Sequence, residues 1–129
     1  MGALASVVTG DSSIEVRDSC GLLRLDWTGR SNARQPGLAL GPWFAALLLR
    51  ARVAGAGVEV HFEQLEFFNS STISATIQFI REAQAQGVPL VFVFDGELKW
   101  QALTFEALRT FELPDGLLQI RATTRLQLS

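Results

Sequence analysis

Hydrophobic and polar positions alternate along two short runs near the start of the chain. Ile14 and Val16 alternate with Ser13, Glu15 and Arg17, and Leu23, Leu25 and Trp27 alternate with Arg24, Asp26 and Thr28. A period of two marks half-buried strands. Asp18-Ser19-Cys20-Gly21 between them has turn chemistry and predicts a four-residue hairpin loop. After loop-forming residues from Ser31 to Gly37, Gly41-Pro42 opens a helix that runs to about Ala54. Proline at the first helical position gives up an N–H the helix does not use. Gly55 can take the left-handed position after the last turn. Trp43, Phe44, Leu47, Leu48 and Ala51 have helical spacing, Leu49 lies off that stripe, and only Arg50 and Arg52 are polar. This helix is greasier than a simple surface helix.

Val58, Val60 and Phe62 alternate with Glu59, His61 and Glu63, which predicts a third strand continuing towards Leu65 and Phe67. Ile73, Ile77 and Ile80 then recur at spacings of four and three, opposite Ser74, Gln78, Arg81 and Ala85. That is an amphipathic helix, ended by Gly87. Val88 to Phe94 is an unbroken apolar run, suited to a parallel strand covered on both faces. A third helix is expected from about Leu98 to Phe111, with Trp100, Leu103, Ala107, Leu108 and Phe111 inward, and a last strand over Leu118, Ile120 and Ala122. The order β-β-α-β-α-β-α-β predicts an α/β fold. It has a mixed sheet of about five strands, an antiparallel hairpin first and largely parallel strands after it.

Composition narrows the function classes. The chain has 129 residues, 48% of them apolar and 19% charged, which suits one domain over 1–129 with its core at about 13–122. The net charge of −2 is spread without a basic block, so no nucleic-acid partner is expected. No run approaches the roughly 18 apolar residues of a membrane span, and the first residues lack the pattern of a signal peptide, so no membrane partner is expected either. One cysteine, Cys20, fits a reducing, cytoplasmic compartment. With one histidine, His61, a zinc site of several Cys and His ligands is excluded, and no metal or cofactor is expected.

The strand-to-helix junction Asn69-Ser70-Ser71 carries the most chemistry. Asn69 is a good N-cap residue, because its side-chain oxygen can accept a first-turn N–H. Ser70 and Ser71 then stand beside unpaired N–H groups at the positive end of the helix dipole. A phosphate there would be tolerated by the domain and would add about −1.5 to −2 charges at one surface point. The plain alternative is that these residues only cap the helix.

The stretch FEQLEFFNSSTISATIQFIREAQAQGVPLVFVFDG resembles the core of STAS domains, the anti-sigma-factor antagonist family. In that family an apolar strand runs into Asp-Ser-Ser-Gly, followed by an amphipathic helix, a Gly turn and a very apolar strand. Phe68-Asn69-Ser70-Ser71-Thr72 matches the junction, and the element order is similar from about Ile14 to Ala122. The resemblance implies that Ser70 is the phosphate acceptor and Ser71 the second serine. Asn69 stands where the family has Asp, and Thr72 where it has Gly. Ser71 and Thr72 are alternative acceptors, and Thr72 should crowd the surface. The implied function is partner switching without catalysis. An anti-sigma-factor-type serine kinase or related regulatory enzyme would bind around Asn69, Ser70, Ser71, Thr72 and Glu66, phosphorylation would release it, and a serine phosphatase would reset the cycle.

Other readings stay open beside this one. A scaffold that is never phosphorylated would dock or form a homodimer through the apolar first helix. A small ligand-binding domain or hydrolase would need His61 to act as base for Ser70, yet no nucleophile elbow surrounds that serine. Asp95-Gly96 ends a strand at the sheet's carboxyl edge, where Asp95 can contribute to a site or, more simply, cap the third helix. Glu63 and Glu66 flank the junction and either shape a partner surface or are merely solvated. Gly55-Ala56-Gly57 precedes a strand and fails as a dinucleotide fingerprint. Cys20 has only Arg17 and Arg24 near it in sequence, which gives no reason for reactivity. Trp100 and Leu49 can each serve as core or as contact surface.

Overall fold

The computed structural model describes residues 6–19 and 21–123. Three antiparallel strands lead: β1 (Val7–Thr9), β2 (Asp11–Ser19) and β3 (Leu22–Ser31). Then come α1 (Gly37–Ala54), β4 (Gly57–His61), β5 (Leu65–Phe68), α2 (Ser70–Gln86), β6 (Leu90–Asp95), α3 (Lys99–Leu108) and β7 (Leu118–Thr123). The sheet is mixed as expected, but among the described residues it has seven strands rather than about five, in the order β1-β2-β3-β4-β6-β7 with β5 also on β3. Two causes account for the difference. β1 is only three residues long and pairs with the start of β2, too short for a periodic signal. The expected third strand is broken between His61 and Leu65 into β4 and β5.

That break is coupled to Gly29. β4 pairs with β3 from Leu22 to Asp26, β5 takes over from Gly29 to Ser31, and the register shifts between Gly29 and Arg30. Gly29 has φ of 88°, and a Cβ there would collide with the Asp11 carbonyl oxygen. Glycine therefore permits the bulge that carries β5 outward and aims its end at α2.

Ile14, Leu23, Leu25, Trp27, Val60, Phe62, Phe92, Phe94 and Ile120 form one core with α1, α2 and α3. Aromatic rings dominate it. Trp27 meets Phe44, Phe62 and Phe68, and Phe44 stacks on Phe79 with centroids 4.1 Å apart. The opposite sheet face carries Arg24, Asp26, Glu59, His61, Gln119 and Arg121 in register across four strands. β6 is thus not covered by helices on both sides. Val93 faces the polar side, between His61 and Arg121, where long neighbouring side chains shield it.

Helix boundaries differ in instructive ways. α1 begins at Gly37 with Pro36 at its N-cap, so Pro42 lies inside the helix. Pro42 and Leu38, whose carbonyl loses its helical donor, are both on the exposed side, where water can replace the missing bond. By length and composition α1 also qualifies to cross a membrane, with mean hydropathy 1.3 over its 18 residues, contrary to expectation. Leu40, Phe44, Leu47, Leu48 and Ala51 place one face of it in the core. α3 is shorter than expected and ends in a 3-10 turn, Arg109–Phe111. Its inward face is Gln101, Phe105 and Leu108, while Leu103 and Ala107 are exposed. A buried glutamine hid that stripe. Gly55 and Gly87 end α1 and α2 in left-handed conformations, as their positions predict.

Candidate functional site: the amino end of α2

β5 ends in Phe68, whose ring is buried against Trp27, Phe62 and Phe105. The anchored ring fixes where the chain leaves the sheet. Asn69 follows in an extended conformation and caps α2: its Oδ1 accepts from the Thr72 N–H at 2.9 Å and from the Thr72 hydroxyl at 2.7 Å. Its Nδ2 donates to the Ala33 carbonyl at 2.8 Å, and its backbone N–H donates to the Ser31 carbonyl at 3.1 Å. The Ser31 hydroxyl completes the set, 2.7 Å from that of Thr72. The first turn of α2 is therefore tied to the chain between β3 and α1.

This network explains both departures from the STAS pattern. Aspartate at position 69 could accept the cap bonds but could not donate to Ala33. Glycine at position 72 would offer no hydroxyl to Ser31. Thr72 was expected to crowd the surface and to serve as contact residue or substitute acceptor. Its exposure is 0%, so its hydroxyl is spent inside the fold and is presented to no partner here.

Ser70 and Ser71 are exposed, and no hydrogen bond ties either side chain among the described residues. Ser71 and Ser74 line a shallow groove of about 410 Å³ with Arg34, Gln35, Gly37 and Leu38. The N–H groups of Ser70 and Ser71 belong to the helix's first turn, which has no intrahelical acceptors. The result is an electropositive, hydroxyl-bearing corner. Glu66 is exposed on β5 beside it. On the same strand Phe67 lies under the Arg30 guanidinium at 4.9 Å, a cation–π contact that holds an aromatic ring at the surface. Arg30 and Arg34 escaped sequence reasoning. They reach the junction through β3 pairing and the loop after β3, for which the sequence offers no local signal.

The remaining candidates are placed elsewhere. His61 points to the polar sheet face, its Nε2 2.5 Å from Glu59 Oε1 and its Nδ1 2.8 Å from Glu63 Oε1. Both ring nitrogens are engaged, so neither is offered to Ser70. Glu63 is also held by the Thr123 hydroxyl at 3.2 Å, so it belongs to the sheet face rather than to the junction. Asp95 is buried and does not cap α3, whose N-cap is Leu98. Instead its Oδ1 accepts from the Glu97 N–H at 2.9 Å and closes the preceding turn. Trp100 is half-buried, 6.1 Å from the Phe68 ring, and so helps to floor the junction. Leu49 is exposed on α1. Cys20 lies outside the described residues. The loop expected over Asp18-Ser19-Cys20-Gly21 is shorter than four residues, because Asp18 and Ser19 belong to β2 and pair with Leu23 and Leu22, and Gly21 has φ of 78°. Among the described residues no group of three His, Cys, Asp or Glu side chains could hold a metal ion.

No protein-family model matches the chain, and no curated protein matches it. Among solved structures, the fold is similar to SiaC in the crystal structure of the diguanylate cyclase SiaD with its activator SiaC from Pseudomonas aeruginosa. The TM-score is 0.62 at 19% identity, over 92% of this chain and 99% of that one. At that identity the likeness is one of fold.

Proposed function

We propose that this chain is a non-catalytic, cytoplasmic regulatory domain that binds a partner enzyme over the amino end of α2 and is switched by phosphorylation of Ser70. The observation that carries this reading is the division of labour at the junction. Asn69, Thr72 and Ser31 do the structural work, which leaves the Ser70 and Ser71 hydroxyls exposed and without structural duty. A phosphate there would meet first-turn N–H groups and lie near Arg34, so it would change the charge of the docking surface without unfolding α2. The STAS resemblance suggests a serine kinase of the anti-sigma-factor type and a matching phosphatase. The fold shared with the activator SiaC suggests a nucleotide cyclase as another kind of partner enzyme.

The test is phosphosite mapping on protein from its native cells. No Lys or Arg lies between Arg52 and Arg81, so one tryptic peptide, Val53 to Arg81, spans the junction. Phosphate is expected on Ser70 or Ser71 and not on buried Thr72. Ser70→Ala should change folding stability by less than about 0.5 kcal/mol, as exposed substitutions do, while regulation of partner binding is lost. A fully covered peptide without phosphate across growth conditions would overturn the switch. It would leave the unphosphorylated scaffold, which the exposed Leu38, Leu49 and Val53 of α1 favour.

A further inference from the structure

α1 is apolar on two opposite faces. The inner face is Leu40, Phe44, Leu47, Leu48 and Ala51. On the outer face Leu38, Pro42, Ala45, Leu49 and Val53 follow one another at spacings of four, three, four and four. All five are exposed: Leu38 by 74%, Leu49 by 57% and Val53 by 80%. A helix that is apolar all round is ordinarily covered all round. Water is a poor neighbour for this stripe, which runs the length of an 18-residue helix.

The order of residues within the stripe indicates the occupant. With the exposed Ala46 at its margin the stripe matches itself read in both directions: Leu38 mirrors Val53, Pro42 mirrors Leu49, and Ala45 mirrors Ala46. Large apolar side chains occupy the two ends and alanines the centre. Two copies packed antiparallel would place each end leucine against a valine, and the small central residues would let the backbones approach. Charge agrees with this arrangement. Arg52, at the margin of the stripe, would face Ala39 of the copy and not its own equivalent. Arg50 is drawn aside by Asp18 at 2.9 Å. Each helix would set its carboxyl end beside the other's amino end, which aligns the two macrodipoles favourably.

We propose that the outer face of α1 is the seam of a homodimer, with two copies of the helix antiparallel about a two-fold axis between Ala45 and Ala46. The seam is isologous, as two-fold interfaces are. One helix pair about 27 Å long falls at the low end of stable interface sizes, so dissociation in the micromolar range is expected. The seam adjoins the proposed phosphorylation corner, since Leu38 also lines the groove beside Ser71. It does not depend on that corner being modified.

Sedimentation of the full, unphosphorylated chain without any partner tests the proposal. The weight-average mass should rise towards twice the monomer with concentration. Leu49→Glu and Val53→Glu, both at exposed positions, should each weaken dimerisation at least about tenfold while circular dichroism stays native. Orientation is read by oxidation in a Cys20→Ser background. Ala45→Cys, close to the axis, should form an intermolecular disulfide. Val53→Cys should not, because its two copies would lie about 22 Å apart along the helices. A chain that stays monomeric to several hundred micromolar overturns the dimer, and so does self-association that ignores both glutamate variants. Equal cross-linking of the two cysteine variants overturns the antiparallel seam. A monomer that co-sediments with anionic phospholipid vesicles would instead assign the stripe to a membrane surface.

Discussion

Two strands, β5 and β6, run into helices at the same edge of the sheet, and they treat their polar groups in opposite ways. At the β5–α2 junction the residue before the helix caps it from outside, and the next two residues keep exposed hydroxyls. At the β6–α3 junction no side chain caps the helix. There Gln101 turns inward from the helix's first turn. Its Oε1 accepts from the Asp95 N–H at 2.7 Å, and its Nε2 donates to the Phe62 and Leu65 carbonyls at 2.7 and 3.0 Å. That glutamine braces the turn by which the chain leaves β4 for β5. One junction therefore uses its polar atoms to hold the fold, and the other holds itself with a few atoms and leaves serines free. At the β5–α2 corner the exposed serines stay without structural duty because Asn69 and Thr72 do the capping.

The sharpest way to break this contrast is at Gln101. Gln101→Leu keeps the bulk but takes the glutamine partner from the Leu65 carbonyl and the Asp95 N–H, while the Phe62 carbonyl keeps only the Leu65 N–H at 2.9 Å. At about 1–3 kcal/mol for each unsatisfied group, the loss should reach roughly 3 kcal/mol or more, read as a lower midpoint in urea unfolding. Loss of less than about 1 kcal/mol would show that the two junctions do not differ in the way described.

Thr72→Gly comes next. It introduces the residue of the STAS pattern yet should destabilise by about 2 kcal/mol, since glycine costs a helix only about 0.3 kcal/mol more than threonine but the buried Ser31 hydroxyl loses its partner at about 1–3 kcal/mol. The same urea titration measures it, and a neutral or stabilising outcome would show that the buried hydroxyl pair contributes nothing.

The smallest expected effect sharpens the comparison most. Asn69→Asp introduces the other residue of the STAS pattern, and aspartate is as good an N-cap as asparagine. It should nevertheless cost about 1 kcal/mol, because a carboxylate cannot donate to the Ala33 carbonyl. If aspartate stabilises instead, the tie between α2 and the β3–α1 loop is not what selects asparagine.

Much of this was legible along the chain. The opening hairpin, the three helices, the glycine ends of α1 and α2, and the Asn69 cap follow from local pattern, which depends on residues a few positions apart. Sequence also placed Ser70 and Ser71 on the first turn of α2, and both are exposed there. It misjudged elements whose partners are distant. β1 exists because it pairs with β2. The break between β4 and β5 exists because β3 changes partner at Gly29. α3 turns a glutamine inward because three backbone groups from other elements wait for it.

Residue order alone thus determined the α/β class and its alternation of elements, because periodicity and turn chemistry act within one helical turn or hairpin. The outer stripe of α1 needed the structure as well, because Leu38 lies ahead of the helix start expected at Gly41-Pro42 and joins the stripe only in a helix that begins at Gly37. Only the tertiary structure decided that Thr72 is buried and Ser70 exposed. That depends on Ser31, 41 positions before Thr72, meeting it across the sheet, and no pattern confined to α2 contains that contact.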